Sequence, residues 1–236
     1  MNKHALMVVL AALLTGCDNS AAPLSFTPEM ASFSNEFDFD PLRGPVKDFS
    51  QTLFNDKGEV AKRVSGTLST EGCFDSLELH DLEANTGIAL VLDANYYLDA
   101  QTQQKKLRLQ GKCQLAELPA SGISWDTDDN GFIVSAHGKD MEVNYRYDAD
   151  GYPLGKTTVS GEQQLSITAT PAADKRKKLD YTSVSQLNDK RLGKVKQTCD
   201  YDRHDNPVAC ELVVTDESVK PAVSRKYTIK NTIEYY

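Results

Sequence analysis

From Val46 to the carboxyl terminus the chain reads as short runs rich in Val, Thr, Tyr, Phe and Leu, separated by Asp, Asn and Gly at intervals of roughly ten residues. Apolar and polar positions alternate in Met141-Glu142-Val143-Asn144-Tyr145-Arg146-Tyr147, in Cys210-Glu211-Leu212-Val213-Val214 and in Tyr227-Thr228-Ile229-Lys230-Asn231-Thr232-Ile233. A period of two sends alternate side chains to opposite faces of an extended strand, so each run predicts one wet face and one buried face. The apolar run from Gly87 to Ala94 predicts a buried strand, since it falls far short of the roughly 20 residues a membrane helix needs. Helix-period stretches are nearly absent beyond the amino terminus, which disfavours an α/β fold. The expected class is all-β: an antiparallel meander of hairpins curled into a sandwich or partly open barrel, because a flat sheet of this length would expose a whole apolar face.

A weak repeat supports serial hairpins. An aromatic residue followed by Asx and a turn occurs as Phe54-Asn55-Asp56-Lys57-Gly58, Trp125-Asp126 through Gly131, Tyr147-Asp148-Ala149-Asp150-Gly151 and Tyr201-Asp202 through Pro207. Asx side chains bond their own turn backbone, and Gly or Asn supplies a positive φ. Spacing between copies is irregular, so no solenoid is predicted. Ahead of the strands, LSFTPEMASFSNEFDFDPLRGPVKDF carries Phe33, Phe37 and Phe39, which mark a segment that packs on the domain; Pro28, Pro41 and Pro45 argue against any long helix there.

The amino terminus changes the picture most. A basic start (Lys3, with His4), an apolar run from Ala5 to Leu14 and a small residue at Gly16 make an export signal, and Gly16 leads directly into a cysteine. Leu14-Thr15-Gly16-Cys17 resembles the lipobox of bacterial lipoprotein precursors, in which the thiol receives a diacylglyceryl group, the signal is cut before the cysteine and the new amino terminus is acylated. Sulfur is the strong nucleophile that this chemistry requires. The expected organisation is residues 1–16 as removed signal peptide, 17–24 as lipidated N-terminus and tether, and 25–236 as a single β-rich periplasmic domain. Cys17 is then the N-palmitoyl and S-diacylglycerol cysteine, whose two or three acyl chains hold a domain on a membrane where one chain would be marginal. In the lipoproteins this resembles, an aspartate after the cysteine favours retention in the inner membrane, and Asp18 stands there.

Removal of 16 residues from 236 leaves 220, suited to one generous domain or two small ones. Net charge is −8, and −9 once Lys3 is cut away, so nucleic acid is not an expected partner. Five cysteines become four with Cys17 lipidated, an even number for an oxidising compartment. Cys199 and Cys210 flank the last Asx turn, and Cys73 and Cys113 would join two separate hairpins. These loops of about 12 and 41 residues correspond to roughly 3 and 4 kcal/mol in the chain-entropy model. Sequence alone permits three pairings.

Candidate chemistry is sparse. Asp126-Thr127-Asp128-Asp129-Asn130-Gly131 opens like a calcium loop, but His137 stands where the closing bidentate Glu belongs. His80, His137 and His204 form no HExxH or i, i+4 pair, and Asp200, Asp202, His204 and Asp205 fall in a predicted turn. No G-x-S-x-G, glycine-rich phosphate loop or C-x-x-C occurs. The expectation is therefore no enzyme, no catalytic residue, no metal and no cofactor. The basic run Lys175-Arg176-Lys177-Lys178 reads as a charged hairpin loop, or as a contact for anionic head groups or an acidic partner near the membrane.

With the lipobox, EGCFDSLEL, LVLDANYY, LQGKCQLAELP, GYPLGKTT, VKPAV and the terminal YTIKNTIEYY in view, the chain resembles the YnfC family of small uncharacterised lipoproteins of enteric bacteria. The resemblance implies attachment through Cys17 and carries no activity, cofactor or catalytic residue. The function expected is a lipid-anchored, disulfide-stabilised module facing the periplasm, with the membrane and an envelope protein as partners. The rival is a periplasmic enzyme assembled from distant His and Asp residues.

Overall fold

The computed structural model describes residues 23–236; the lipobox, Cys17 and Asp18 lie outside the described residues. One ten-residue helix, α1 (Pro28–Phe37), precedes sixteen strands. They are β1 (Val46–Phe54), β2 (Val60–Leu68), β3 (Phe74–Asp81), β4 (Thr86–Asp93), β5 (Tyr96–Asp99), β6 (Lys105–Gln110), β7 (Gln114–Leu118) and β8 (Ile123–Thr127). The second half holds β9 (Ile133–Gly138), β10 (Met141–Tyr147), β11 (Pro153–Ser160), β12 (Gln163–Pro171), β13 (Tyr181–Leu187), β14 (Lys190–Tyr201), β15 (Pro207–Asp216) and β16 (Val223–Tyr235). Each strand pairs antiparallel with its sequence neighbours, and β1 closes the circle on β16, with Phe49 opposite Ile233 and Gln51 opposite Asn231. Of the two forms expected, the sheet takes the barrel, and it closes completely, leaving no edge strand to pair with another chain.

The pleat decides which side chains go in. Val143 and Tyr145 are buried while Glu142, Asn144 and Arg146 are exposed; along β16, Thr228, Lys230, Thr232 and Glu234 face out. Transmembrane barrels show the opposite alternation, apolar towards lipid and polar towards the lumen. The outer wall here is therefore a water-facing surface, tied by cross-strand pairs such as Thr67 with Ser76 at 2.7 Å, Thr215 with Ser224 at 2.9 Å and Lys47 with Glu234 at 2.7 Å.

Five turns share one hydrogen-bond plan. In the loops starting at Asn55, Asp128, Asp148 and Asp202, the Asx backbone N–H donates to the carbonyl four residues on, and its side chain accepts from the N–H groups two and four residues on. In the Trp125 copy the turn residue is Asp128 rather than Asp126, because Asp126 is still in β8 and its side chain points along the outer wall. Ser69 opens a fifth turn of this kind, accepting from Cys73 N at 3.3 Å, which an aromatic-Asx pattern overlooks.

Strand direction alternates, so all turns from an even strand to the next odd one lie at one end of the barrel. That end is sealed. Phe26 N donates to Asp150 O at 2.9 Å, Ile133 N to Ser32 Oγ at 3.0 Å and Arg43 N to Asn206 Oδ1 at 2.7 Å, stitching the amino-terminal segment to three of these turns. A disulfide joins Cys73 to Cys113, in the β2–β3 and β6–β7 connections, and another joins Cys199 to Cys210 directly across β14 and β15. The basic run also belongs here: Lys175 pairs with Asp150 at 2.9 Å and Lys178 with Asp148 at 2.7 Å, so at least two of its cations are already matched by the β10–β11 turn.

Candidate functional site

The site begins with how α1 enters the barrel. Thr27 caps it, its side chain accepting from Met30 N at 3.3 Å; Pro28 occupies the first turn, where no N–H is needed; Glu29 favours the positive end of the helix. Glu29 through Asn35 are all buried, the polar positions Glu29, Ser32 and Asn35 as well as the apolar Met30 and Phe33, because barrel wall surrounds the helix. Phe33, 1% exposed, stacks on Phe74 at 4.8 Å and meets the edge of Tyr97 at 5.7 Å. At the carboxyl end, Lys156 Nζ donates to the free carbonyls of Asn35 (2.8 Å) and Glu36 (3.1 Å), and the Tyr145 hydroxyl donates to the Glu36 carboxylate. Asp38 adopts φ 55°, reversing the chain, and residues 39–43 run back to the sealed end. There Arg43 is 1% exposed, its backbone clasped by the Asn206 amide and its guanidinium 4.4 Å over the Phe26 ring; burial pushes its pKa down while Asp205, Asp150 and Asp148 oppose that shift.

The inner tip of this plug is the floor of a cavity of about 320 Å³ in the lumen, within the size range of small-ligand sites. Its walls are apolar: Leu53 from β1, Val64 from β2, Ile167 and Ala169 from β12, Leu212 from β15, Ile229 from β16, and Phe39 from the plug. Gly155 of β11 is required beside it, because at φ +99° an added Cβ would stand 2.1 Å from the Ile167 carbonyl. The floor is polar and fixed. Gln51 and Asp40 exchange two bonds, Asp40 N to Gln51 Oε1 at 3.1 Å and Gln51 Nε2 to Asp40 O at 2.7 Å, and Gln197 Nε2 donates to Asp40 Oδ2 at 2.9 Å. Asp40 lies deep inside the barrel with one side open to the cavity. Burial raises its carboxyl to about 6, against the hydrogen bond from Gln197 and the charge of Lys62, which act to lower it. Lys62 Nζ itself donates to the Asp38 carbonyl at 2.7 Å. Tyr152 and Tyr181 also line the space, and burial keeps both phenols protonated, with Asp40 adding to the upward shift.

The histidines do not converge on this space. His80 lies outward on β3, 3.7 Å from Glu78. His137 Nε2 is 2.9 Å from Asp126 Oδ2 and 3.1 Å from Ser135 Oγ, all exposed on the outer wall. That trio has the residue types of a hydrolase triad but not its geometry: Nε2 meets both partners and Ser135 Oγ donates directly to Asp126 Oδ2, so the carboxylate does not orient the ring through Nδ1 while Nε2 takes the serine proton. His204 stacks on Tyr235 at 4.0 Å, and Asp202 is spent on its turn and the Tyr235 hydroxyl. Among the described residues no group of three His, Cys, Asp or Glu could hold a metal ion. Asp40, Gln51 and Gln197, which sequence reasoning passed over, carried one faint signal: an acid set between Phe39 and Pro41 in the aromatic segment.

The model of an uncharacterised protein family, UPF0257, matches residues 1–236. The chain belongs to this family. Relatives include the UPF0257 lipoprotein YnfC of Salmonella dublin, 69% identical over the full length of both chains, and that of Salmonella typhimurium, 68% identical over the same span. Among solved structures, a porin-like protein from Bacteroides uniformis aligns at 10% identity over 80% of this chain and 96% of that one, with a TM-score of 0.40, a likeness too weak to argue from. Nothing in the family or in the described side chains indicates catalysis.

Proposed function

We propose that the protein is a lipid-anchored lipoprotein of the inner membrane, facing the periplasm, whose barrel binds a small, mainly apolar ligand in its lumen. The single observation that carries the binding role is the cavity of about 320 Å³, apolar in its walls and fixed and polar at its floor, inside a wall that otherwise faces water. Cys17 carries the lipid and Asp18 the retention signal in this reading, supported by the lipobox and by relatives named as lipoproteins. The described chain starts beside the sealed end, where Leu24 lies against Gly44. The mouth therefore opens at the far end from the tether, and Leu82, Leu165, Val219 and Val223, all exposed, fall at that end. Periplasmic solutes or a ligand carried by an envelope partner would reach it without passing the membrane face. The test is uptake of an apolar fluorophore, N-phenyl-1-naphthylamine: saturable binding that Leu212→Trp abolishes supports the reading, whereas equal signal from both proteins removes it.

A further inference from the structure

We infer that the cavity selects a ligand bearing a primary ammonium group on a short apolar body, the ammonium seated between Asp40 and Gln197. This rests on the binding role just proposed and adds the chemistry of the head group. The floor offers acceptors. Gln197 is 2% exposed and its amide nitrogen donates to Asp40 Oδ2, while its Oε1 is buried and accepts no hydrogen bond from any described residue. A buried acceptor left open is costly, so its retention beside a cavity marks a place for a donor. Asp40 Oδ1 likewise has no partner among the described residues, and no ion pair reaches Asp40, since the ammonium of Lys62 is held by the Asp38 carbonyl. An ammonium brings three donors and the charge that compensates Asp40. A carboxylate head could meet the Tyr152 and Tyr181 hydroxyls but would face the Asp40 charge across the floor. The apolar walls then take the alkyl body, and the net charge of −8 raises the local concentration of cations around the barrel.

The charged and titratable groups facing the floor are Asp38, Lys62, Tyr152 and Tyr181. The two phenols stay protonated, so Asp40, with its carboxyl raised to about 6, sets the pH dependence at this point. Ammonium binding needs the ionised carboxyl, so affinity for an amine falls as pH drops through that value, while affinity for a neutral alcohol does not follow it.

The experiment is calorimetric titration of the full protein, purified from membranes into phosphatidylcholine nanodiscs, with hexylamine, hexanol and hexanoate, using empty nanodiscs as reference. At pH 7.5 hexylamine binds at least tenfold more tightly than hexanol, and hexanoate more weakly than both. That preference shrinks at pH 5 on the unaltered protein and is lost in Asp40→Asn, judged by the amine-to-alcohol ratio within each protein and with thermal unfolding confirming the fold. Binding of hexanol or the fluorophore with no amine preference, or a preference for hexanoate, overturns this inference and leaves the binding role standing. Failure of every ligand overturns both.

Discussion

Asp40 shows most clearly how position overrides residue type. Asp38 and Asp40 look alike in FDFDP, yet the first is a reversal point with a side chain 69% exposed and the second is driven into the floor of the lumen. A carboxyl whose folded pKa of about 6 exceeds its unfolded value of 3.8 binds its proton more tightly in the native state. Its contribution therefore favours the fold at low pH and is lost as pH rises through about 6, the reverse of an ion-paired carboxylate. Asp40→Asn is expected to raise stability at pH 8 by on the order of 2 kcal/mol, after discounting for solvent that reaches the carboxyl from the cavity, with the gain vanishing near pH 4. Urea unfolding at both pH values checks this, and a gain of equal size at pH 4 would assign it to packing instead.

At the scale of the element, α1 and the return strap are what turn an empty ring of strands into a filled barrel. A barrel this wide cannot close its own core with wall side chains alone, and the plug supplies Met30, Phe33, Phe39 and Leu42 to the main apolar cluster. Phe33→Ala is expected to cost about 3–5 kcal/mol, since Phe74 and Tyr97 cannot collapse into the space, whereas Thr232→Ala on the outer wall stays within about 0.5 kcal/mol. Denaturant midpoints for the two variants give the comparison. The sequence showed that the segment packs and that its prolines forbid a long helix. It did not show a short helix buried on its polar side as well, because Glu29, Ser32 and Asn35 read as a wet face and only the closed barrel covers them.

For the whole molecule, closure places every loop at one of two ends, and the two ends differ. Stitches from Phe26, Ser32 and Arg43 seal the end where the described chain begins, which puts the cavity mouth away from the proposed anchor. That anchor makes its own predictions. Metabolic labelling with palmitate is expected in the unaltered protein and absent from Cys17→Ser. Asp18→Ser is expected to move the protein from inner-membrane to outer-membrane fractions on a density gradient; retention in the inner membrane would show that another feature sets its address.

The sequence by itself determined the strands, their wet and dry faces, the turn chemistry and the even set of four cysteines, because each of these is encoded within a few neighbouring residues. The lipobox belongs with them as a local signal. Only the tertiary structure decided that β1 meets β16, that the amino-terminal segment fills the lumen, and that Asp40, Gln51 and Gln197 share one floor. Gln51 and Gln197 lie on strands far apart in the chain, and the contact between them and Asp40 exists only once the barrel has closed around the plug.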